Sequence, residues 1–392
     1  MKSSGPTELP TSHMLPWLIA WNSLILWPGC VSPVALHRAV LAYDEQVARV
    51  TREQLLLNIV RASDSHPIHF TLVPSVAATF HFQASAGITP PEGDARGLVA
   101  PLINATVAEN PTITIIPIEG EEFTQRLLTP IEESRLLSLV SMGTDLNMLL
   151  RLTAASVRLF ERGDERRVSN DPARLAEYQE FRRLVGHLAA LNRKEHVHIQ
   201  RIMAQTVWEG PMRGALEPQD ILAGIEKDYK WQSLPQSGAY RLTRSRLLVS
   251  NYPAGALDPE QLDRLGARAK EWPPNEILVD IRPGFPGGEY PIQGTIQLRS
   301  FDSILRFLGL GIPNTGQDPS QADEGGTNPS TLLTIQKVVS PPNGAVTARY
   351  QGQLYAVAKK TWDLEVFRLL YQLFQMTVKP IQAPVPGITI AK

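Results

Sequence analysis

The chain has 392 residues, 38 basic and 39 acidic side chains, and a formal net charge of −1 at pH 7. This balance argues against a nucleic-acid-binding protein or a polybasic membrane-surface protein, and a hydrophobic content of 43% argues against an intrinsically disordered chain. One cysteine excludes an intramolecular disulfide and an all-cysteine metal site.

The amino terminus has the pattern of an export signal. A polar stretch with Lys2 precedes a fourteen-residue apolar run from Met14 to Trp27. As a helix, this run would be about 21 Å long, which is shorter than the hydrocarbon core of a bilayer at about 30 Å. The pattern therefore predicts a signal peptide over residues 1–29 rather than a membrane span.

Cys30 follows the small residue Gly29, which resembles the bacterial lipobox recognised by lipoprotein-processing peptidases. Trp27 and Pro28 depart from the usual lipobox, which has Leu, Val or Ile at −3 and a small residue at −2. The alternative is an incidental thiol after an uncleaved anchor. The resemblance implies acylation of Cys30. Each methylene group of an attached fatty chain that is buried in the bilayer contributes about 0.8 kcal/mol to membrane binding. The resemblance also implies a location in the outer membrane, because Val31, which follows Cys30, is not an inner-membrane retention signal.

Apolar residues recur at three- and four-residue steps over residues 34–62, which predicts a helix. Apolar and polar residues then alternate over 68–82 and 112–118, which predicts a small pair of strands with Pro74 at an edge or break. The segment 119–194 is predicted to be mainly helical.

From about residue 195 the sequence alternates strand and helix patterns. Strands are predicted at 196–203, 239–250, 276–282, 293–299, 332–339, 345–350 and 353–358. Helices are predicted at 218–231, 258–271, 301–309 and 361–376. Residues 313–330 have no apolar periodicity, which indicates a flexible insertion.

These patterns predict an α+β protein, with a helical N-terminal half followed by alternating strands and helices in a mixed α/β C-terminal half. We expect a mainly helical domain with a small strand pair over residues 30–200. An α/β domain is expected over residues 201–392.

Several segments resemble a group of uncharacterised proteobacterial envelope lipoproteins. In that group a Leu-Leu-Leu-Asn-Ile-Val-Arg-Ala segment follows the signal peptide by a few dozen residues, as residues 55–62 do here. Other similar segments are His69-Phe70, 110–114, 123–130, 295–308 and 350–374. The resemblance implies an envelope location, and it brings no assigned activity or catalytic residue.

The residues that carry polar chemistry give few specific signals. His196 and His198 place two imidazoles on one face of a predicted strand, but a metal site needs third and fourth ligands that no local spacing supplies. They are therefore candidate binding residues, with ordinary strand-face histidines as the alternative. No nucleophile elbow or phosphate-binding loop is present in the sequence, and we predict no catalytic residue, metal or cofactor.

Tyr240 and Arg244 are further candidate binding residues. They share one face of the predicted strand 239–250 with Leu242, so the strand displays an aromatic ring and a guanidinium together. This pattern is suited to an anionic glycan or a partner protein. The alternative is an exposed sheet face or a guarded edge.

Taken together, the sequence favours an envelope lipoprotein that acts as a noncatalytic scaffold or interaction module in the periplasm. Its expected partners are the lipid bilayer, through acylated Cys30, and envelope proteins, with no nucleic acid. The alternative is a periplasmic hydrolase that acts on an envelope polymer and uses histidines such as His196 and His198. The oligomeric state stays open.

Overall fold

A computed structural model describes residues 31–88, 101–161, 164–211, 216–226, 229–258, 260–261, 264–266, 272–273, 275–312 and 331–378. The predicted signal peptide, Cys30 and the predicted insertion at 313–330 lie outside the described residues. Among the helices in these ranges, none combines the length and the hydropathy that a membrane span needs.

Helices and strands alternate along the described chain, which confirms the predicted α+β class. The helices are α1 (Val31–Ser63), α2 (Glu121–Leu128), α3 (Glu133–Ser141), α4 (Leu146–Thr153), α5 (Leu175–Arg193), α6 (Pro218–Glu226), α7 (Phe301–Gly309) and α8 (Thr361–Thr377). The strands are β1 (Phe70–Ile88), β2 (Pro101–Ile118), β3 (Ala154–Glu161), β4 (Asp164–Ser169), β5 (His198–Pro211), β6 (Tyr229–Leu234), β7 (Ala239–Ser250), β8 (Glu276–Ile281), β9 (Ile292–Leu298), β10 (Ile335–Val338), β11 (Thr347–Tyr350) and β12 (Gln353–Val357).

Contacts within the chain define two compact units. The first contains the described residues up to Thr51 together with those of 75–114, which include most of the two-stranded sheet β1-β2. The second contains residues 52–74 and the described residues from Ile115 onward. A seven-stranded sheet and a three-stranded sheet belong to this second unit.

The seven-stranded sheet has the strand order β4-β3-β9-β8-β7-β5, and β6 also pairs with β7. Its neighbouring strands are antiparallel except for β7 and β8, which run parallel with Leu248 opposite Leu278 and Ser250 opposite Asp280. A parallel pair cannot be joined by a tight turn. The chain therefore makes a longer connection between the two strands, over residues 251–275.

The seven-stranded sheet lies between two apolar clusters. Strand β8, in which all six residues are buried, contributes to both of them. Successive side chains of a strand point to opposite faces. Ile277, Val279 and Ile281 accordingly join the main core, to which the helices contribute, whereas Leu278 belongs to a second cluster. The buried members of that second cluster are Ile202, Leu248, Tyr252, Leu257, Leu265, Trp272 and Leu278.

The three-stranded sheet has the order β10-β12-β11. Gln351 and Gly352 form the turn between β11 and β12, with φ values of 48° and 80°. Helix α8, which was predicted over 361–376, then packs its apolar side into the main core. Its buried apolar residues are Val366, Phe367, Leu369, Leu370, Leu373 and Phe374.

Residues 119–194 are mainly helical as predicted, in α2, α3, α4 and α5, but the prediction missed the strands β3 and β4 within this segment. Val157 and Leu159 alternate with Arg158, and the first two are buried in the main core. This period of two favours a strand. Strand β3 pairs with β4 and with β9, and this pairing stabilises the extended conformation.

The predicted helix at 218–231 was wrong at its carboxyl end, because α6 ends at Glu226 and residues 229–234 form β6. Tyr229 and Trp231 alternate with polar residues and pair along β7. Backbone hydrogen bonds to an existing strand outweigh the weak helical preference of so short a segment.

A buried guanidinium connects three parts of the second unit. Arg246 of β7 is 1% exposed, and its Nε donates to Glu133 Oε1 of α3 at 2.8 Å. Its Nη atoms donate to the carbonyl oxygens of Trp272 and Pro273, each at 3.1 Å, and of Glu276 at 2.5 Å. One side chain therefore holds α3 and the connection that leads into β8 against β7.

We predict that Arg246→Met destabilises the protein by about 3–5 kcal/mol, because the substitution removes the buried donor to the half-buried Glu133 carboxylate and to the carbonyl groups of residues 272, 273 and 276. Urea unfolding of the full chain, followed by tryptophan fluorescence, measures the change. Arg241→Met is the control: Arg241 forms an ion pair with Glu209 in which the two side chains are 37% and 44% exposed. We expect this control to cost less than about 1 kcal/mol, and equal losses in both variants would contradict the proposed role of Arg246.

Candidate functional site

The two candidate histidines lie at the start of β5. His198 is the first residue of the strand and pairs with Ser250, whereas His196 precedes the strand, and both are half-buried. Within the described ranges, no group of three or more His, Cys, Asp or Glu side chains is placed to hold a metal ion. The structure thus brings no further metal-ligating side chain of the described chain to these histidines.

Tyr240 and Arg244 lie on β7, where that strand is flanked by β5 on one side and β6 on the other. Tyr240 is opposite Gly210 and Ser233, and Arg244 pairs with Tyr229. Both side chains are half-buried. The guanidinium carbon of Arg244 lies 5.9 Å from the centroid of the Tyr229 ring, which is within the range of a cation–π contact.

Arg244 lines a pocket with a volume of about 400 Å³, which we call the Arg244 pocket. Its lining residues are Glu132, Glu133, Ser134, Arg201, Glu226, Tyr229, Arg244, Ser245 and Leu247. Two guanidinium groups therefore face the same space as three carboxylates. Such a mixed polar surface is typical of the rim of a protein–protein interface.

Glu133 is held at one wall of this pocket by the edge of β7. On that edge, β6 pairs with residues 239–244 and β8 with residues 248–250, which leaves a gap between them. The carboxylate of Glu133 fills the gap, because its Oε2 accepts from the backbone N–H of Leu247 at 2.7 Å. Burial raises the pKa of Glu133 more than the neighbouring Arg246 guanidinium lowers it.

Strand β5 is irregular beside this pocket. Its pairing with β7 shifts register twice, between Met203 and Gln205 and again between Thr206 and Trp208. Each shift is a β-bulge, in which one extra residue is left out of the ladder and neighbouring side chains are re-aimed. At the second bulge, Val207 and Trp208 are both exposed.

Helix α6 presents further apolar side chains to solvent. Ile221, Leu222 and Ile225 lie at i, i+1 and i+4 on one side of α6. We call these three residues together with Val207 and Trp208 the apolar patch, in which every side chain is between 40% and 62% exposed. Single exposed apolar residues are ordinary, but a contiguous group marks an interaction surface.

Two close contacts connect the parts of the apolar patch. A Cβ atom at Gly224 of α6 would lie 3.5 Å from the Trp231 ring, an ordinary van der Waals distance, so this buried position of the helix faces that side chain. The Trp231 ring in turn contacts Trp208 edge-on, with their centroids 6.0 Å apart. Through Trp231, helix α6 and the bulged part of β5 are therefore neighbours in the second unit.

The structure places Arg244, but not Tyr240, in the lining of the Arg244 pocket, and sequence reasoning missed the apolar patch. Apolar residues at three- and four-residue steps are also the pattern of a helix face that packs into a core. The sequence signal for exposure is weak, because α6 has only nine residues.

Comparison with known proteins gives no relative to compare at this site. No protein-family model, no curated protein and no solved structure matches the chain.

We predict that the free energy of unfolding of Glu133→Gln increases, relative to that of the unsubstituted protein, as the pH rises. The folded-state pKa of Glu133 lies above the ordinary 4.5, so the stability that its proton contributes is present below that value and is lost as the pH rises through the folded-state pKa. Glutamine carries no charge and avoids this loss. Urea unfolding of both proteins from acidic to neutral pH measures the difference in their unfolding free energies.

Any loss of the Leu247 hydrogen bond in Glu133→Gln is independent of pH and does not alter this slope. Glu132→Gln removes an exposed carboxylate at the same helix end and reports the general effect of one negative charge. If the difference instead moves in favour of the unsubstituted protein at neutral pH, attraction to Arg246 outweighs burial and the prediction is wrong.

Proposed function

We propose that this protein is a bacterial envelope lipoprotein, anchored to the outer membrane through acylated Cys30, which acts in the periplasm as a noncatalytic interaction module. The location is supported by the export pattern of residues 1–29, by the Gly29-Cys30 pair and by the resemblance of residues 55–62 to envelope lipoproteins. The role is supported by one structural observation, the apolar patch on α6 and β5.

The physical argument for an interaction rests on exposed apolar area. Each square ångström of apolar surface removed from water contributes about 25 cal/mol, so covering five large side chains is a substantial driving force. Tryptophan and arginine are the side chains most enriched at binding hot spots. Trp208 supplies one in the apolar patch, and Arg244 supplies the other in the neighbouring pocket.

The partner that fits this surface best is an amphipathic helix of another envelope protein. An added strand is disfavoured, because the two bulges of β5 interrupt the edge to which a strand would bind. Ile221, Leu222 and Ile225 instead form a ridge along α6, and ridges of one helix pack into the grooves of another. The polar edges of such a helix would meet Arg244 and Glu226 of the Arg244 pocket.

We predict that the protein incorporates a clickable fatty acid in a bacterial host and that Cys30→Ser abolishes the label. Loss of the label in that variant would identify Cys30 as the residue that carries the fatty acid. Gel fluorescence after labelling is the measurement, with membrane fractionation in parallel. Undiminished label in Cys30→Ser, or an unlabelled protein of full length, would show that Cys30 is not the anchor.

We predict that a photo-crosslinking amino acid at Leu222 captures one discrete partner in intact cells. The matched control is the same amino acid at Leu175, because both leucines lie on helices and are similarly exposed, at 60% and 63%. Gel mobility and mass spectrometry of the adducts are the measurements. We expect the adduct at position 222 only, and Trp208→Asp in the same chain should abolish it.

Three results would overturn the interaction module as described: no adduct at position 222, the same adduct at position 175, or persistence of the adduct in Trp208→Asp. An adduct of the chain with a second copy of itself would replace the partner helix with a homodimer contact.

A further inference from the structure

The second face of the seven-stranded sheet contains a cavity that is separate from the Arg244 pocket. Its volume is about 390 Å³, within the range of about 300–1,000 Å³ that small-molecule sites occupy. We call it the Asp280 cavity. Its lining residues are Phe160, Gln261, Arg264, Leu265, Trp272, Leu278, Val279, Asp280, Arg282, Pro283, Gln293 and Gly294.

Asp280 is the chemically distinctive residue of this cavity. The side chain is buried at 3% exposure, and its Oδ2 accepts from the Tyr252 hydroxyl at 2.5 Å and from Arg282 Nε at 2.7 Å. Its Oδ1 is also buried but has no hydrogen-bond partner among the described residues. Leaving a buried acceptor unsatisfied is costly, so a donor from a bound molecule would stabilise it.

The partners of Asp280 hold this arrangement in place. Burial and the hydrogen bond to Asp280 raise the pKa of the Tyr252 phenol, so that its hydroxyl stays protonated and donates. The guanidinium carbon of Arg282 lies 5.1 Å from the centroid of the Tyr252 ring. Because both donors use Oδ2, the carboxylate is oriented without engaging Oδ1.

The other walls of the cavity supply hydrogen-bonding amides and an apolar surface. Gln293 of β9 is exposed at a position opposite Asp280 in the sheet register, and Gln261 is half-buried. The rings of Phe160 and Trp272 stack on each other, with centroids 5.4 Å apart and an angle of 8° between their planes. Polar and aromatic groups therefore line the same space.

The charges of the cavity exclude several ligand classes. Both guanidinium groups are already paired with carboxylates, Arg282 with Asp280 and Arg264 with Glu260, so neither is left as a site for a simple anion. A simple cation would meet the same two guanidinium groups. A purely apolar molecule would leave Oδ1 without a donor. A neutral molecule with several hydroxyl groups and one apolar face meets all three requirements.

We propose that the Asp280 cavity binds a neutral saccharide unit. One sugar hydroxyl donates to Asp280 Oδ1, and sugar oxygens accept from Arg282 and Gln293. The C–H face of the ring lies against the apolar wall that Phe160, Trp272 and Leu265 provide. This site does not depend on the apolar patch, so the protein can bind a saccharide whether or not a partner helix binds to α6.

The test is saturation-transfer NMR on the purified full chain, with a panel of neutral hexoses and N-acetylhexosamines at millimolar concentration, followed by titration of the best binder. We expect at least one sugar to bind, and we expect anionic and amine compounds of similar size not to bind. Failure of every sugar in the panel would overturn the proposal, as would preferential binding of the charged compounds.

Two variants localise the binding. Asp280→Asn retains an oxygen for Tyr252 and Arg282 but presents an NH₂ group where Oδ1 was, and we expect affinity to fall about tenfold or more. Gln293→Ala changes an exposed side chain, keeps the fold, and should weaken binding about threefold to tenfold. Gln336→Ala, on strand β10 of the other sheet, is the control and should bind as the unsubstituted protein does.

The exposed Gln293 keeps the test decisive if Asp280→Asn fails to fold. Equal affinity of Gln293→Ala and Gln336→Ala would place the sugar elsewhere and overturn the assignment of this cavity. The photo-crosslink at Leu222 is unaffected by any of these substitutions, which separates a failure here from a failure of the proposed interaction module.

Discussion

The buried ion pair between Arg246 and Glu133 is the constraint on which both proposed sites depend. The edge of β7 is shared by β6 and β8, and the space between these two strands would leave backbone groups without partners. Glu133 occupies that space and accepts from Leu247, while Arg246 reaches the carbonyl groups of residues 272–276. Glu133 is thereby held in the wall of the Arg244 pocket, and Trp272 in the wall of the Asp280 cavity.

Strand β8 presents only apolar residues to one face of the sheet and presents carboxylates to the other. The face of Ile277, Val279 and Ile281 is wholly apolar and packs into the main core. The opposite face carries two carboxylates, and each is matched by a guanidinium: Glu276 bonds to Arg158 and also accepts from Thr295, and Asp280 bonds to Arg282. Buried charges are tolerated when they are paired in this way. One strand can therefore complete a core and supply a polar site at once.

The sequence predicted those elements whose pattern is local. Strand β7 begins and ends where the alternation of its residues begins and ends, and α7 coincides with the predicted 301–309. Strands β3 and β6 were missed because pairing with distant strands, rather than local preference, determines them. The same distinction holds for the sites. Tyr240 and Arg244 were predicted as candidates from their spacing on one strand. Asp280 was not, because its significance comes from Tyr252 and Arg282 in the folded chain and from an oxygen that neither of them reaches.

The parallel pairing of β7 with β8 has a consequence for how this protein can diversify. It obliges the chain to travel from one end of the sheet back to the other, and that return path supplies Gln261, Arg264, Leu265 and Trp272 to the Asp280 cavity. Strand order and register are set by the backbone ladder on either side of the path. Changing Gln261 and Arg264, which lie outside the second apolar cluster, would therefore alter which molecules are recognised, while the buried Leu265 and Trp272 of the same path keep the architecture intact.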